Sequence, residues 1–334
     1  MPPSERLRIA VAGLGSRGQF HLERLLLRDD CEVVAAVDPA SACRERWSKS
    51  IPHLAGSLSP GLLQAGRVQA VWLATPDGVT PELVELALQA GCAVVLEPPF
   101  GLSPDEVDRL LQRAEAKNQA VVLYLPSRTQ TEFRQACRVV RSGRLGTLRS
   151  LSRSLWQLAP LEPGGGHPLR LNRQALPWLD QAQQLAGGVS RLVWSRQEPR
   201  DSIVCQAPAD ERAMGRPGGL ELLVEFGEAT MGWFDLQWNT PAAWDSGWRL
   251  RGTRGAWHSS GGTSGDPSGE LLEFTDEDGE QEAEDPLEGI LRHLRGEGPN
   301  PGDWREVASL AWWLGKNKVP NVGPDSDNQI SILR

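Results

Sequence analysis

The sequence predicts an α/β protein in two parts: a helix-covered parallel sheet, then an α/β domain with a large, mostly antiparallel sheet. Three observations carry this. Over residues 6–125, short and almost wholly apolar segments alternate with helical ones, as strands buried on both faces of a parallel sheet do. After residue 150 a helix gives way to a succession of short strands, which suits antiparallel pairing packed on helices. Composition shifts at the same place, since only Trp47 and Trp72 of the 13 tryptophans precede residue 150. A chain of 334 residues has room for two cores. The expected domains are 1–125 and 126–334.

The first part is read in order. Arg6 to Ala12 is a short apolar strand, followed at once by Gly13-Leu14-Gly15-Ser16-Arg17-Gly18. Gln19 to Arg28 is helical, with Phe20, Leu22, Leu25 and Leu26 available for its buried side. Glu32 to Val37 is a second strand and ends at Asp38. In such a β-α-β unit the first glycine permits a tight turn, the second clears room for a pyrophosphate, and the third lets helix and strand pack closely. The helix N-terminus offers N–H groups to phosphates. Asp38, twenty residues past Gly18, is placed to accept from adenosine ribose hydroxyls. A dinucleotide site is therefore expected. Asp38 favours NAD, because its charge would meet a 2′-phosphate; Arg44 is near enough to leave NADP open.

The alternation continues. Val68 to Ala74 is a strand ending in Thr75-Pro76-Asp77, and Thr80 to Ala90 is a helix closed by Gly91. Cys92 to Leu96 is a strand ending in Glu97-Pro98-Pro99. Ser103 and Glu106 form a capping box for a helix reaching about Asn118, and Ala120 to Leu125 is another strand. Ligands bind at the carboxyl ends of such strands, which sets Gly13, Asp38, Thr75 and Glu97 along one edge.

In the second part, Thr147 to Leu155, Val189 to Gln197, Gly219 to Phe226 and Ala229 to Trp238 read as strands, the last two joined by a hairpin at Gly227-Glu228. Gly247 to Arg251 and Gly255 to His258 are a further candidate pair, and Leu271 to Thr275 a short strand. Leu176 to Leu185, Leu287 to Leu294 and Trp304 to Leu314 read as helices. Pro160 to Pro168 and Gly261 to Gly269 are loops, Asp276 to Asp285 is an acidic turn, and Val319 to Arg334 has no assigned place.

Bulk properties exclude several classes. The net charge of -8 and the lack of a basic, aromatic-laced stripe argue against nucleic acid. No apolar run reaches membrane-span length, and the first one, Leu7 to Leu14, is broken by glycine, unlike a signal peptide. The five cysteines are scattered without a CxxC pair, which reads as reduced thiols in a cytoplasmic protein. No metal site is expected: the sequence has no HExxH motif, and the acidic run lacks calcium-loop spacing.

With these pieces in place, the sequence resembles the glucose–fructose oxidoreductase, inositol dehydrogenase and rhizopine-catabolism family. The glycine loop, Asp38, Ala74-Thr75-Pro76, Ala90-Gly91, Glu97-Pro98-Pro99, Arg128 and Ser142-Gly143-Arg144-Leu145-Gly146 carry the likeness. The resemblance implies an N-terminal Rossmann domain and a C-terminal domain with an open, mostly antiparallel sheet through which dimers or tetramers form. It implies NAD or NADP and hydride transfer to or from a carbonyl or alcohol, with sugars and polyols as usual substrates; one branch reduces the tetrapyrrole biliverdin. The departures are specific. Pro98 stands where the family has a lysine that orients substrate and moves the proton. Arg173 and Pro177 stand at the family's aspartate and histidine positions, while Asp180 fits its next acidic position.

The site residues follow. Gly13, Leu14, Gly15, Ser16, Arg17, Gly18, Asp38, Thr75, Pro76, Glu97 and Pro98 are expected to line the cofactor. Catalytic candidates are His167, in a glycine-rich loop; Tyr124, as proton donor or pocket wall; and Glu97, shaping the nicotinamide site or acting as acid or base. Arg128, Arg173, Trp156 and Asp180 are substrate-binding candidates, the arginines by a guanidinium fork that suits a carboxylate or else as structural ion pairs. Trp194 and Trp233 suit the core. Trp156, Trp178, Trp238, Trp244 and Trp248 suit a stacking wall or a subunit interface. Two functions remain open: an NAD(P)-dependent oxidoreductase of a sugar- or polyol-like compound or a conjugated one such as a linear tetrapyrrole, or an inactive nucleotide-binding relative serving as sensor or structural subunit.

Overall fold

The computed structural model describes residues 6–76, 79–98, 103–157, 168–199, 218–227, 229–238, 244–259, 285–305, 307, 308 and 310, with the side chains of 157, 168–174, 192, 194–199, 218 and 238 left outside it. The chain divides into two units: residues 1–126 with 284–312, and residues 127–283 with 313–334.

The first unit is built on a six-stranded sheet in the order β3-β2-β1-β4-β5-β6, every pair parallel. The strands are β1 (Leu7–Ala12), β2 (Cys31–Val37), β3 (His53–Ala55), β4 (Ala70–Leu73), β5 (Ala93–Leu96) and β6 (Val121–Leu123). The helices are α1 (Ser16–Leu26), α2 (Ser41–Glu45), α3 (Pro60–Ala65), α4 (Thr80–Gln89) and α5 (Pro104–Ala116). The central strands β1, β2, β4 and β5 are almost entirely buried. That explains their unbroken apolar runs, since helices cover both faces of a parallel sheet. α5 begins with the Ser103–Glu106 capping box that its sequence signalled. The short α2, β3 and α3 were not foreseen, because segments this brief carry little periodicity.

Helix α8 (Pro286–Leu294) also belongs to this unit and buries Leu287, Ile290 and Leu291 in the same core as Ile9, Val33 and Trp72. Charges fix its ends. Arg28 binds Asp30 at 2.7 and 2.8 Å and also reaches Glu288, while Arg295 donates to Asp30 at 2.7 Å. Further on, Leu123 N–H donates to the Gly302 carbonyl at 2.9 Å and the Asn300 amide donates to the Val121 carbonyl at 3.1 Å. Residues 300–302 thereby cover the edge of β6.

The second unit carries β7 (Leu148–Gln157), β8 (Val189–Pro199), β9 (Gly218–Phe226), β10 (Thr230–Trp238), β11 (Trp244–Asp245), β12 (Arg249–Gly252) and β13 (Ala256–His258). Their order is β13-β12-β7-β10-β9-β8, with β11 on β7. All pairs are antiparallel except β7 with β10. The foreseen hairpin joins β9 to β10, with Gly227 at φ +55°. Helices α6 (Thr131–Arg141) and α7 (Pro168–Ala186) belong to this unit. α7 packs on β7, β9 and β10, burying Leu176, Leu179, Ala182 and Leu185.

Helix α7 starts at Pro168, eight residues before the expected Leu176, and runs through Pro177. Proline lacks the N–H that would continue the ladder, which is why the sequence reads as a later start. Tryptophan expectations need correction too. Trp178 and Trp248 are buried, Trp248 donating to Gln181 Oε1 at 3.1 Å, so they are core rather than a stacking wall. Trp233, expected in the core, is 49% exposed. It alternates with Gly232 and Phe234, which fill the buried side of β10, so the strand's period of two turns it outward. The backbones of Trp194 and Trp238 lie in β8 and β10, with their side chains outside the described part. Leu271 to Thr275, Gly261 to Gly269 and Val319 to Arg334 lie outside the described residues.

Candidate dinucleotide site

The site sits at the carboxyl ends of β1 and β4, where the strand order reverses direction, the usual crevice for ligands in an open parallel sheet. Gly13 leaves β1 at φ +90°, a left-handed conformation, and its N–H donates to the Val37 carbonyl at 2.8 Å. A side chain on Gly13 would strike the Ala74 carbonyl, and one on Gly18 would strike the Gly13 carbonyl. Both glycines are therefore demanded by packing. Gly15 differs: a Cβ there would meet nothing within 4 Å. Its missing side chain leaves open space in front of the N-terminus of α1, which has neither a capping side chain nor an acid in its first turn. Helix N–H groups facing such space suit an anionic group.

The other cofactor candidates gather at this edge. Asp38 Oδ2 accepts the Leu14 N–H at 2.7 Å and its Oδ1 accepts the Ala40 N–H at 2.8 Å. This carboxylate ties the end of β2 to the glycine loop and keeps lone pairs for further donors. Arg44 donates to the carbonyls of Asp38 and Pro39. Thr75 and Pro76 follow β4, and their turn is closed by the Thr80 hydroxyl, 3.1 Å from both Thr75 Oγ1 and the Pro76 carbonyl. Ser16 opens α1. Pro98 follows Glu97, half-buried.

Glu97 lies in an arrangement the sequence reading did not foresee. Arg17 embraces its carboxylate through Nε, at 3.0 Å from Oε2, and through Nη2. The imidazole Nε2 of His21 meets the same carboxylate. His21 is 2% exposed. Its ring packs 4.8 Å from Trp72 and edge-on to Tyr124 at 4.7 Å. Burial lowers the His21 pKa below its ordinary 6.5, against the opposing pull of Glu97. For Glu97, burial pushes upward, but the hydrogen bonds from His21 and Arg17 outweigh it and hold the carboxyl below its ordinary range. A neutral imidazole donating to an ionised carboxylate satisfies both directions.

Tyr124 is buried in this cluster, and its hydroxyl accepts from Arg24 Nη1 at 2.9 Å. Burial is the first cause that raises its pKa. Sequence spacing held the signal for His21. Gly18, His21, Leu22 and Leu25 share the buried stripe of α1. Phe20 and Leu26, expected on that stripe, are 41% and 37% exposed. The helical period turns them away, and Phe20 lies under the guanidiniums of Arg17 and Arg24.

The substrate candidates fall in the second unit. Arg128 forms a two-point ion pair with Asp180, Nε to Oδ2 at 2.8 Å and Nη2 to Oδ1 at 2.6 Å, and Asp180 is fully buried. The two residues thus hold each other, which matches the structural ion pair left open for Arg128. Next to them the buried Gln181 side chain donates to the carbonyl of Ser127. Trp156 is 36% exposed; its Nε1–H donates to Asp235 at 3.0 Å and its ring meets Trp244 edge-on. Arg173 lies in α7, with its side chain outside the described part, and His167 lies outside the described residues. Among the described residues no group of three or more His, Cys, Asp or Glu side chains is placed to hold a metal, and no helix is long and apolar enough to cross a membrane.

A parallel sheet in this strand order, with a cleared glycine loop and an acid at the end of β2, defines a dinucleotide-binding Rossmann unit. Residues 7–125 match the model of the Gfo/Idh/MocA oxidoreductase family, described as having an NAD-binding Rossmann fold. Over this region, about a third of its length, the chain is similar to that family. The rhizopine catabolism protein MocA of Rhizobium meliloti is 25% identical over 264 residues, covering 75% of this chain and 77% of that protein. An inositol 2-dehydrogenase of Arthrobacter sp. (strain FB24) is 28% identical over 151 residues, and the match spans 44% of this chain and less than half, 45%, of that relative. Among solved structures, biliverdin reductase from Synechocystis sp. PCC 6803, in complex with biliverdin and NADP+, has the same fold, with a TM-score of 0.69 and 19% identity over 92% of this chain and 98% of that one.

Proposed function

We propose that the protein is an NAD(P)-dependent oxidoreductase that transfers hydride to or from a small molecule. The observation that carries this is the glycine loop: Gly13 and Gly18 are required by packing, whereas Gly15 is required by nothing the chain itself places there. The space over Gly15 fits the pyrophosphate of a dinucleotide. Gly13, Leu14, Gly15, Ser16, Arg17 and Gly18 would hold the phosphates, Asp38 the adenosine ribose, and Thr75, Pro76, Glu97 and Pro98 the nicotinamide half. The cofactor supplies the hydride; the protein's part is binding and alignment. Asp38 favours NAD by its charge, although it already accepts from Leu14 and Ala40. Arg44, anchored on the same turn, keeps NADP within reach.

The substrate class we favour is a sugar- or polyol-like compound, in keeping with the inositol 2-dehydrogenase relative, or a conjugated compound such as a linear tetrapyrrole, which the biliverdin reductase of the same fold binds. His167, Tyr124 and Glu97 remain the proposed proton-handling groups. For Glu97, the tie to Arg17 and His21 supports a positioning role over proton transfer. For Tyr124, the buried ring supports a wall. Arg128, Arg173, Trp156 and Asp180 remain the proposed substrate contacts, with Arg128 and Asp180 acting as a buried pair that fixes α7. The open face of the second sheet, where Trp156, Trp233 and Trp244 are exposed, supports assembly into a homodimer or homotetramer, and we place the protein in the cytoplasm.

Oxidation of bound NADH or NADPH by a panel of sugars, keto acids and linear tetrapyrroles tests the reading, and the expected result is turnover with at least one class. One observation favours the second reading, an inactive nucleotide-binding sensor or subunit: Pro98 has no proton to move where the family has a lysine. Tight cofactor binding without turnover across the panel would favour it.

A further inference from the structure

Arg17 and His21 lie one turn apart on α1, and side chains four residues apart on a helix are neighbours. Both turn to one carboxylate, that of Glu97 just past the end of β5. Arg17 Nε adds a second point, 3.0 Å from Oε2. The two donors differ in their surroundings. His21 is buried, its ring packed against Phe20, Trp72 and Tyr124. The Arg17 side chain is exposed, and its Nη1 has no hydrogen-bond partner among the described residues. Phe20 lies under its guanidinium, which gives the arginine a contact but leaves its direction unset. The two-point grip of Glu97 supplies the direction, because a guanidinium and a carboxylate meet in one plane. Glu97 is itself only half-buried, so the grip is as fixed as whatever holds the carboxylate. That hold comes from His21, a donor on an immobile ring.

We propose that His21 is a positioning residue of the dinucleotide site: through Glu97 it fixes the Arg17 guanidinium at the glycine loop, with Nη1 left to donate to a phosphate of the cofactor. The inference rests on reading that loop as a dinucleotide site. Arg17 belongs to the first turn of α1, whose free N–H groups suit the same anionic group, so its guanidinium adds a side-chain donor to that helix end. Long side chains lose rotamer freedom when a ligand orders them, and fixing them beforehand removes that cost from binding. For one arginine the gain is about three- to tenfold in affinity.

NADH and NADPH titrations of the full chain, followed by nicotinamide fluorescence, test the proposal in two His21 variants. His21→Asn leaves an amide too short to reach Glu97 from the helix, and it should weaken binding by about three- to tenfold. The His21 contact runs through Nε2, and a glutamine amide nitrogen reaches about as far, so His21→Gln should recover most of the loss. A purely structural role would not separate the two by reach. In the Arg17→Met background, His21→Asn should have no further effect, since residues that act through one another are not additive. Labelling of Arg17 by phenylglyoxal without cofactor, read by peptide mass spectrometry, gives a second measure: it should be faster in His21→Asn and near the wild-type rate in His21→Gln. Equal or tighter binding by His21→Asn, an undiminished effect without Arg17, or equal labelling of all three proteins would overturn the inference while leaving the dinucleotide reading in place. A wild type that binds neither NADH nor NADPH would overturn both.

Discussion

Gly15 and Gly18 are three residues apart in one loop and answer to different constraints. Gly18→Ala forces a methyl group into the Gly13 carbonyl, a backbone contact that cannot swing aside, so it should destabilise the fold by about 1–3 kcal/mol as overpacking does. Gly15→Val meets open space, and the backbone at Gly15, φ -65° and ψ -172°, suits any residue. Its melting temperature should match the wild type while NADH binding is lost. The His21–Glu97 contact gives a pH prediction. Both groups have folded pKa values below their ordinary 6.5 and 4.5, so the unfolded chain binds more protons as pH falls. Stability from His21 is fully present above about pH 6.5 and is lost on acidification; that from Glu97 follows below about pH 4.5. His21→Gln retains a donor but cannot titrate, so its melting temperature should fall less between pH 7 and pH 5 than the wild type's. Equal slopes would count against the buried neutral histidine.

At the scale of elements, the Arg128–Asp180 pair joins the 3-10 turn at 126–129 to α7. Removing one member leaves a buried charge unpaired, so Arg128→Leu should cost about 3–5 kcal/mol in urea denaturation, and adding Asp180→Leu should recover much of that loss. A cost below about 1 kcal/mol would mean that the pair is solvated. How far each element was legible follows from the same physics. β1, β2, β4 and β5 were readable because a strand buried on both faces must be apolar throughout, and α5 because its capping box is a local code. The start of α7 was hidden by Pro177. The stripe of α1 was misjudged because hydrophobicity was followed in place of period: His21, a polar residue, occupies a buried position that Phe20 was expected to take. Arg128 and Asp180 were both picked out, but their pairing across 52 residues leaves no mark in either one's neighbourhood.

Across the whole molecule, the glycine loop and Asp38 were legible because they form one local β-α-β pattern of fixed spacing, whereas the substrate side was not, because its candidate residues come from separate parts of the chain. The exposed tryptophans carry the prediction at this scale. Trp233→Glu, on the open face of the second sheet, should shift the mass measured by light scattering from dimer or tetramer towards monomer without lowering the melting temperature. The central claim is that the space over Gly15 is built for a dinucleotide. Titrating the full chain with NADH and NADPH while following nicotinamide fluorescence tests it most directly. The account predicts saturable binding of at least one form by the wild type and none by Gly15→Val; no binding of either form at millimolar concentration, or equal binding by the variant, would contradict it.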